Sequence, residues 1–191
     1  INTSNPLSGK RLAGSVGKAL PGITVRITDA NGKALNIGET GELQVKGDNV
    51  FSGYWQMPEK TSEDFTSDGF FITGDKAVLD DNGYVSIVGR SKDMIISGGL
   101  NIYPREIELV IDQIPEVAES AVIGAPDPDF GEKVLAVVVR KTKNISNSEI
   151  VHHCQEKLAR FKVPKSVFFV ETLPRNTMGK VQKNGQRTQY R

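Results

Sequence analysis

Cysteine is all but missing from this chain of 191 residues. Cys154 stands alone, so no internal disulfide can form, and a reducing, cytoplasmic compartment is the expected setting. No apolar run is long enough to span a bilayer, and no signal peptide is expected at the start. Excess charge is missing too. With 24 Lys and Arg against 23 Asp and Glu, a formal net charge of +1 leaves no electrostatic footprint for nucleic acid or an anionic membrane. The initiator methionine is also absent: Ile1-Asn2-Thr3-Ser4-Asn5-Pro6 reads like the middle of something longer, and a fragment is expected. What is present is ordinary for a globular protein, 38% hydrophobic and 25% charged, with length for one larger domain or two small ones.

The first half reads as β. Ile23, Val25 and Ile27 alternate with Thr24, Arg26 and Thr28 before a turn at Asn31-Gly32. Leu43 and Val45 alternate with Gln44 and Lys46, and Ala77-Val78-Leu79 and Tyr84-Val85-Ser86-Ile87-Val88 flank the hairpin signal Asp81-Asn82-Gly83. The second half changes period. Pro104 suits the first position of a helix whose Ile107, Val110, Ile111 and Ile114 share a face. Val117 to Ile123 and Val134 to Val139 read as strands, the second apolar enough to be central. Ser146 and Glu149 form a capping box that opens a helix with Ile150, Cys154 and Leu158 inward, which Pro164 stops. Val167-Phe168-Phe169-Val170 is a last buried strand. The expected fold class is α+β: a β-rich part over residues 1–90, then a small α+β domain over residues 91–191, with the boundary at Gly89-Arg90-Ser91-Lys92.

Several motifs fail on inspection. Gly179-Lys180 is followed by Val181 and lacks the upstream glycine of a P-loop. Asp127-Pro128-Asp129-Phe130-Gly131 lacks the later oxygen ligands and closing Glu of a calcium loop, and reads as a turn. His152, His153 and Cys154 are consecutive on a helix, fan around it, and cannot converge on one metal, so no metal site is expected.

Three clusters between Phe70 and Glu108 remain: Thr73-Gly74-Asp75, Gly89-Arg90-Ser91-Lys92-Asp93 and Ser97-Gly98-Gly99. Polar and glycine-rich clusters ordinarily mark turns, and each of these, taken singly, fits that role. Together and in order they carry more. With Gly41-Glu42-Leu43, Gly53-Tyr54, Pro58-Glu59-Lys60-Thr61, Pro104, Glu106 and the terminal Gly179-Lys180, the chain resembles the acyl-adenylate-forming (AMP-binding) superfamily over nearly its whole length. The resemblance implies the C-terminal part of such an enzyme: the end of the large AMP-binding domain, a β-barrel-like subdomain, followed by a mobile lid domain that carries a catalytic lysine. The larger N-terminal domain, with its phosphate-binding loop, is the missing partner.

In that superfamily a carboxylate attacks the α-phosphate of ATP, pyrophosphate leaves, and a thiol captures the acyl-adenylate. By resemblance, Asp75 accepts hydrogen bonds from both ribose hydroxyls, as an ionised carboxylate does well, and Arg90 helps hold the same ribose. Lys180 stabilises charge between the carboxylate oxygen and the α-phosphate, with Gly179 freeing its loop, and Mg²⁺ bridges the triphosphate. The resemblance also implies that the lid rotates about Lys92 between the two half-reactions. Gly98 and Gly99, without Cβ atoms, would then admit the pantetheine arm of CoA.

Gly98-Gly99-Leu100-Asn101-Ile102-Tyr103-Pro104 looks like the CoA-ligase branch of the superfamily. Asn2 to Pro6, Phe51 to Thr61, Ala159 to Lys162 and Pro174 to Lys183 are together similar to the bacterial malonate–CoA ligases, which implies malonate, ATP and CoA as substrates. Two alternatives stay open: a CoA ligase for another short or medium-chain acid, and a non-catalytic isolated lid fragment. The arginine that would read malonate's second carboxylate lies upstream, and the fragment alone is expected to be inactive. The family's lysine is a type of site for reversible acetylation, so a lysine acetyltransferase and deacetylase acting on Lys180 are possible partners.

Overall fold

The computed structural model describes residues 1–142 and 144–190, and the chain divides into two units, Ile1–Lys92 and Asp93–Arg191. The first unit is β-rich. Two short strands, β1 (Thr3–Ser4) and β2 (Lys18–Ala19), pair antiparallel. Four longer ones follow: β3 (Thr24–Thr28), β4 (Gly41–Lys46), β5 (Phe71–Leu79) and β6 (Val85–Arg90), with α1 (Pro58–Asp64) between β4 and β5. They form an antiparallel meander in the order β3-β4-β5-β6. Ile27, Leu43, Val45, Ala77 and Val85 make its core. The alternation in β3 places Val25 and Ile27 on that face. Its other face is covered too, which simple alternation does not predict. Arg26 Nε donates to Gln44 Oε1 at 2.7 Å, and Gln44 Nε2 to Thr28 Oγ1 at 3.1 Å, so Thr28 and Gln44 are buried with partners. Asn31-Gly32 and Asp81-Asn82-Gly83 sit in the expected turns, with Gly32 and Gly83 at φ +80° and +79°.

The second unit begins with a hairpin, β7 (Ile95–Ser97) and β8 (Leu100–Ile102). Then come α2 (Pro104–Ile111), β9 (Val117–Asp127), β10 (Gly131–Arg140), α3 (Asn147–Lys157), β11 (Ser166–Val170) and α4 (Lys183–Gln189). The helix–strand–strand–helix–strand order matches the sequence reading, and β10 is indeed central, antiparallel to β9 and parallel to β11. Pro104 opens α2, and Ile107 and Ile111 are fully buried on one face; each such side chain contributes roughly 1.5–3 kcal/mol of transfer free energy. The Ser146–Glu149 capping box forms. The helix it opens ends at Lys157, before Pro164, because Arg160–Lys162 fold as a separate 3₁₀ turn whose Lys162 Nζ donates to both Glu106 oxygens at 2.7 Å. One face of the sheet packs on α2 and α3 through Ile95, Ile107, Val122, Val134, Ile150 and Cys154. The other packs Ala121, Ile123, Leu135 and Val137 against Leu173, Val181 and Tyr190 of the C-terminal segment. No helix among the described residues is long and apolar enough to cross a membrane.

Cys154 offers an early check on this packing. Burial pushes its thiol from 9.0 up to about 11. The thiolate is the reactive form, so alkylation of the folded protein near neutral pH should run on the order of 100-fold slower than in denaturant. Equal rates would show that the inward face of α3 opens to solvent.

Candidate active site

The first cluster lies where the sheet is irregular. In the β4/β5 ladder Glu42 pairs with Lys76 and Gln44 with Ile72, so Leu43 alone faces Thr73, Gly74 and Asp75. This corrects the turn expected at Thr73-Gly74-Asp75: the three residues form a bulge inside β5. Gly74 reaches φ +73°, a conformation that favours glycine and that the sequence alone reads as a turn signal. Thr73 Oγ1 locks the bulge by donating to the Leu43 carbonyl at 2.8 Å while accepting from the Asp75 N–H at 3.1 Å.

Across the next ladder Asp75 pairs in register with Arg90, the last residue of β6. Arg90 Nε donates to Asp75 Oδ1 at 2.9 Å, with the Asp75 side chain 18% exposed and that of Arg90 51%. The carboxylate is thus held by the sheet while the guanidinium stays accessible. One step along, Lys76 Nζ lies 3.1 Å from Glu42 Oε2, which also accepts from Ser91 Oγ at 2.8 Å. Glu42 was visible in the sequence only as part of a motif; its tie to Ser91 fixes the start of the 3₁₀ turn Ser91–Asp93, which contains Lys92 at the junction of the two units.

In the second unit the Ser97-Gly98-Gly99 cluster does form a turn, the tip of the β7/β8 hairpin. Both glycines have positive φ, +56° and +78°, as such tight turns require. Gly98 N donates to the Phe130 carbonyl at 2.8 Å, and a Cβ at Gly98 would lie 3.2 Å from the Phe130 ring. A Cβ at Gly99 would meet nothing within 4 Å, so bare backbone faces open space there. Phe130, read in the sequence only as part of a turn, is a half-exposed aromatic wall beside this tip.

Lys180 sits in an ordered loop rather than a frayed tail. Arg175 and Val181 bridge across its base, and Gln182 N donates to the Pro174 carbonyl at 2.8 Å. Inside, Asn176 Oδ1 accepts from the N–H groups of Met178 at 3.0 Å and Lys180 at 2.9 Å. Arg175 Nη1 donates to the Gly179 carbonyl at 2.7 Å and Arg175 also pairs with Glu119 of β9. The Lys180 side chain is exposed and has no carboxylate partner among the described residues. Asn176 was a missed positioning residue; the signal was an Asn three residues before a Gly-Lys step, the kind of side chain that closes turns on its own backbone.

The structure therefore brings Asp75 and Arg90 together in the first unit, with Lys92 at its end, and places Gly98, Gly99 and Lys180 in the second. Among the described residues no group of three or more His, Cys, Asp or Glu is arranged to hold a metal ion.

Residues 2–55 match the family described as AMP-binding enzyme, and residues 106–180 match the AMP-binding enzyme C-terminal domain, which ends on Lys180. The chain belongs to the AMP-binding, acyl-adenylate-forming enzyme family. Among solved structures it is similar to ATP-bound MatB from Rhodopseudomonas palustris, at 57% identity and a TM-score of 0.94, covering 99% of this chain and 38% of that one. It is also similar to o-succinylbenzoate CoA synthetase from Bacillus subtilis, solved with its acyl-adenylate intermediate, at 37% identity and a TM-score of 0.86, over 91% of this chain and 35% of that one. Among curated proteins, the long-chain-fatty-acid–CoA ligase FadD13 of Mycobacterium tuberculosis is 46% identical over 180 residues, 94% of this chain and 35% of its own length. The chain thus spans about a third of the length of the relatives it matches.

Proposed function

We propose that this chain is the C-terminal part of an ATP-dependent acyl-CoA synthetase. In this reading Asp75 and Arg90 hold the nucleotide ribose, Lys180 serves adenylation, and the Gly98-Gly99 tip serves thioester formation after rotation about Lys92. The observation that carries the reading is the cross-strand Asp75–Arg90 pair at 2.9 Å, built on a bulge that spends two extra residues to place one carboxylate. A vicinal diol needs strong acceptors, which an ionised carboxylate supplies, and a fixed donor beside them, which the guanidinium supplies. The fit to ATP thus rests on an acceptor whose backbone Thr73 holds and a donor paired with it across the ladder.

The remaining steps follow from charge and shape. Bound ATP supplies the α-phosphate on which the acid is activated, with pyrophosphate as leaving group. Negative charge grows between the attacking carboxylate oxygen and that phosphate, and the Lys180 ammonium, unneutralised by any described carboxylate, can stabilise it. Its loop delivers the charge from backbone fixed by Asn176. For the second half-reaction the open backbone at Gly99, walled on one side by Phe130, admits a narrow thiol-bearing arm.

The finer reading takes malonate as the acid. It is supported by the sequence similarity to malonate–CoA ligases and by the 57% identity to MatB. Relatives matching this same segment include a long-chain-fatty-acid ligase at 46% and a sulfoacetate ligase at 41%, so the machinery described here serves different acids. ATP–pyrophosphate exchange by the full-length enzyme with malonate, methylmalonate, acetate and a medium-chain fatty acid decides between them. Exchange dominated by malonate is the expected result. Exchange favouring a monocarboxylate would keep the roles of Asp75, Arg90 and Lys180 and remove malonate, and no exchange with any acid would remove adenylation itself.

A further inference from the structure

The loop that bears Lys180 is cross-linked inside by Asn176 and Arg175, and the partly exposed Arg175–Glu119 pair ties its start to β9. A second, buried tie to the domain lies just after Lys180. Glu108 of α2 is only 5% exposed, the one charged residue in the buried set of the described chain. Its Oε1 accepts from the Val122 N–H of β9 at 2.8 Å and from Lys183 Nζ at 2.5 Å. Arg105 Nη1 stands 3.9 Å from its other oxygen. Lys183 is itself largely buried, its side chain 17% exposed, and opens α4 directly after the Lys180 loop. One carboxylate therefore joins three elements: α2, which packs on one face of the sheet; β9, within the sheet; and the C-terminal segment, which packs on the other face.

We infer that the Glu108–Lys183 pair positions Lys180 for adenylation. The inference rests on the reading of Lys180 given above and deepens it. Lys183 lies three positions after Lys180, close enough for its anchored backbone to bear on where Lys180 sits, whereas Val181 between them is bridged to Arg175 at the loop's own base and meets the sheet through apolar packing. Apolar contact alone lets a segment slide; a buried charge pair specifies one register, because a slip leaves the buried carboxylate with only the half-exposed Arg105 at 3.9 Å in place of its close counter-charge. A lysine that must meet a reacting phosphate gains little from being merely nearby, since misplacement by about 1 Å can cost on the order of 100-fold in rate. Lys183 is thus a positioning residue, acting through the loop and not on the substrate.

The test uses the full-length enzyme and reads the two half-reactions separately, as ATP–pyrophosphate exchange and as CoA capture of a supplied acyl-adenylate, with thermal melting alongside. Lys183→Met should slow adenylation at least about tenfold while CoA capture stays within about twofold, and Lys183→Arg should restore most of the loss. If Lys183→Met is recovered unfolded, Glu108→Gln carries the test. Its amide oxygen can still accept from the Val122 N–H, so the sheet edge keeps its partner while the pull on Lys183 is lost, and the same split between half-reactions is expected. An adenylation rate unchanged in a folded variant would overturn the inference, as would parallel loss of both half-reactions with the melting temperature, which marks a purely structural pair. Lys180→Ala, assayed in the same preparation series, separates the two levels. If it spares adenylation, the reading of Lys180 fails; if it abolishes adenylation while Lys183→Met does not slow it, only the positioning inference fails.

Discussion

Lys180→Ala in the full-length enzyme is expected to lower acid-dependent ATP–pyrophosphate exchange by on the order of 100- to 1,000-fold, the usual effect of deleting one group that stabilises transition-state charge. Formation of the thioester from a supplied acyl-adenylate should fall no more than a few-fold. The asymmetry follows from placement. Lys180 stands on its own loop, held by Asn176 and Arg175, whereas the turn proposed for the thiol is the separate Gly98-Gly99 hairpin tip, stabilised by Phe130. Removing the Lys180 side chain leaves these bonds to the loop backbone in place, because Asn176 binds the Lys180 N–H and Arg175 binds the Gly179 carbonyl. Loss of activity can therefore be read as loss of charge. Lys180→Gln, which keeps length but not charge, should behave like the alanine variant, and so should acetylation of Lys180. Equal loss in both half-reactions would sink the alternation between Lys180 and the glycine tip.

Much of this arrangement is legible in the sequence where one local cause suffices. The apolar run Val134 to Val139 reads as a central strand, and β10 is that strand, paired on both sides. The capping box at Ser146 and Glu149 announced α3 because both bonds are local. Other features depend on distant partners and leave no local trace. The helix α4 has no apolar stripe: it is held by Lys183 on Glu108, by Arg187 donating to the Asp93 carbonyl at 3.0 Å, and by Tyr190, just beyond it, stacking on Phe168 at 4.5 Å. Nothing in Lys183 to Gln189 reveals those contacts, so the segment reads as tail.

The site divides along the same line. Asp75 and Arg90 are identifiable as a pair only through the ordered motif set, yet their contact is a consequence of strand register, which the bulge at Gly74 sets. A glycine beside polar residues signals a turn in most chains, and here the same backbone freedom was used within a ladder. Glu108 was invisible as a functional candidate because a glutamate in Pro104-Arg105-Glu106-Ile107-Glu108 reads as the polar side of a helix. It is buried only because Lys183, far along the chain, and the Val122 N–H at the sheet edge converge on it.

Asp75→Asn is the second substitution with a large expected effect, and it tests the nucleotide end of the site. Asparagine preserves shape, and the bulge should persist, since Thr73 Oγ1 binds the Asp75 N–H and not its side chain. What is lost is charge. Hydrogen bonds to a charged group are worth about 1.5–3 kcal/mol each, against about 1 kcal/mol for neutral ones. Two ribose hydroxyls sharing one carboxylate therefore predict a rise in the KM for ATP of on the order of 100-fold, with kcat much less affected because the ribose does not react. Melting temperature should move little, since the pair with Arg90 is partly solvent-exposed and such pairs contribute about 0–1 kcal/mol. The decisive comparison uses 2′-deoxy-ATP. The native enzyme should discriminate strongly against it, because one hydrogen bond to the carboxylate is missing, while Asp75→Asn should discriminate far less, the interaction having already been weakened from the protein side. Unchanged discrimination in the variant would move the ribose contact away from Asp75 and leave the bulge, with its carboxylate, as a device for holding Arg90 alone.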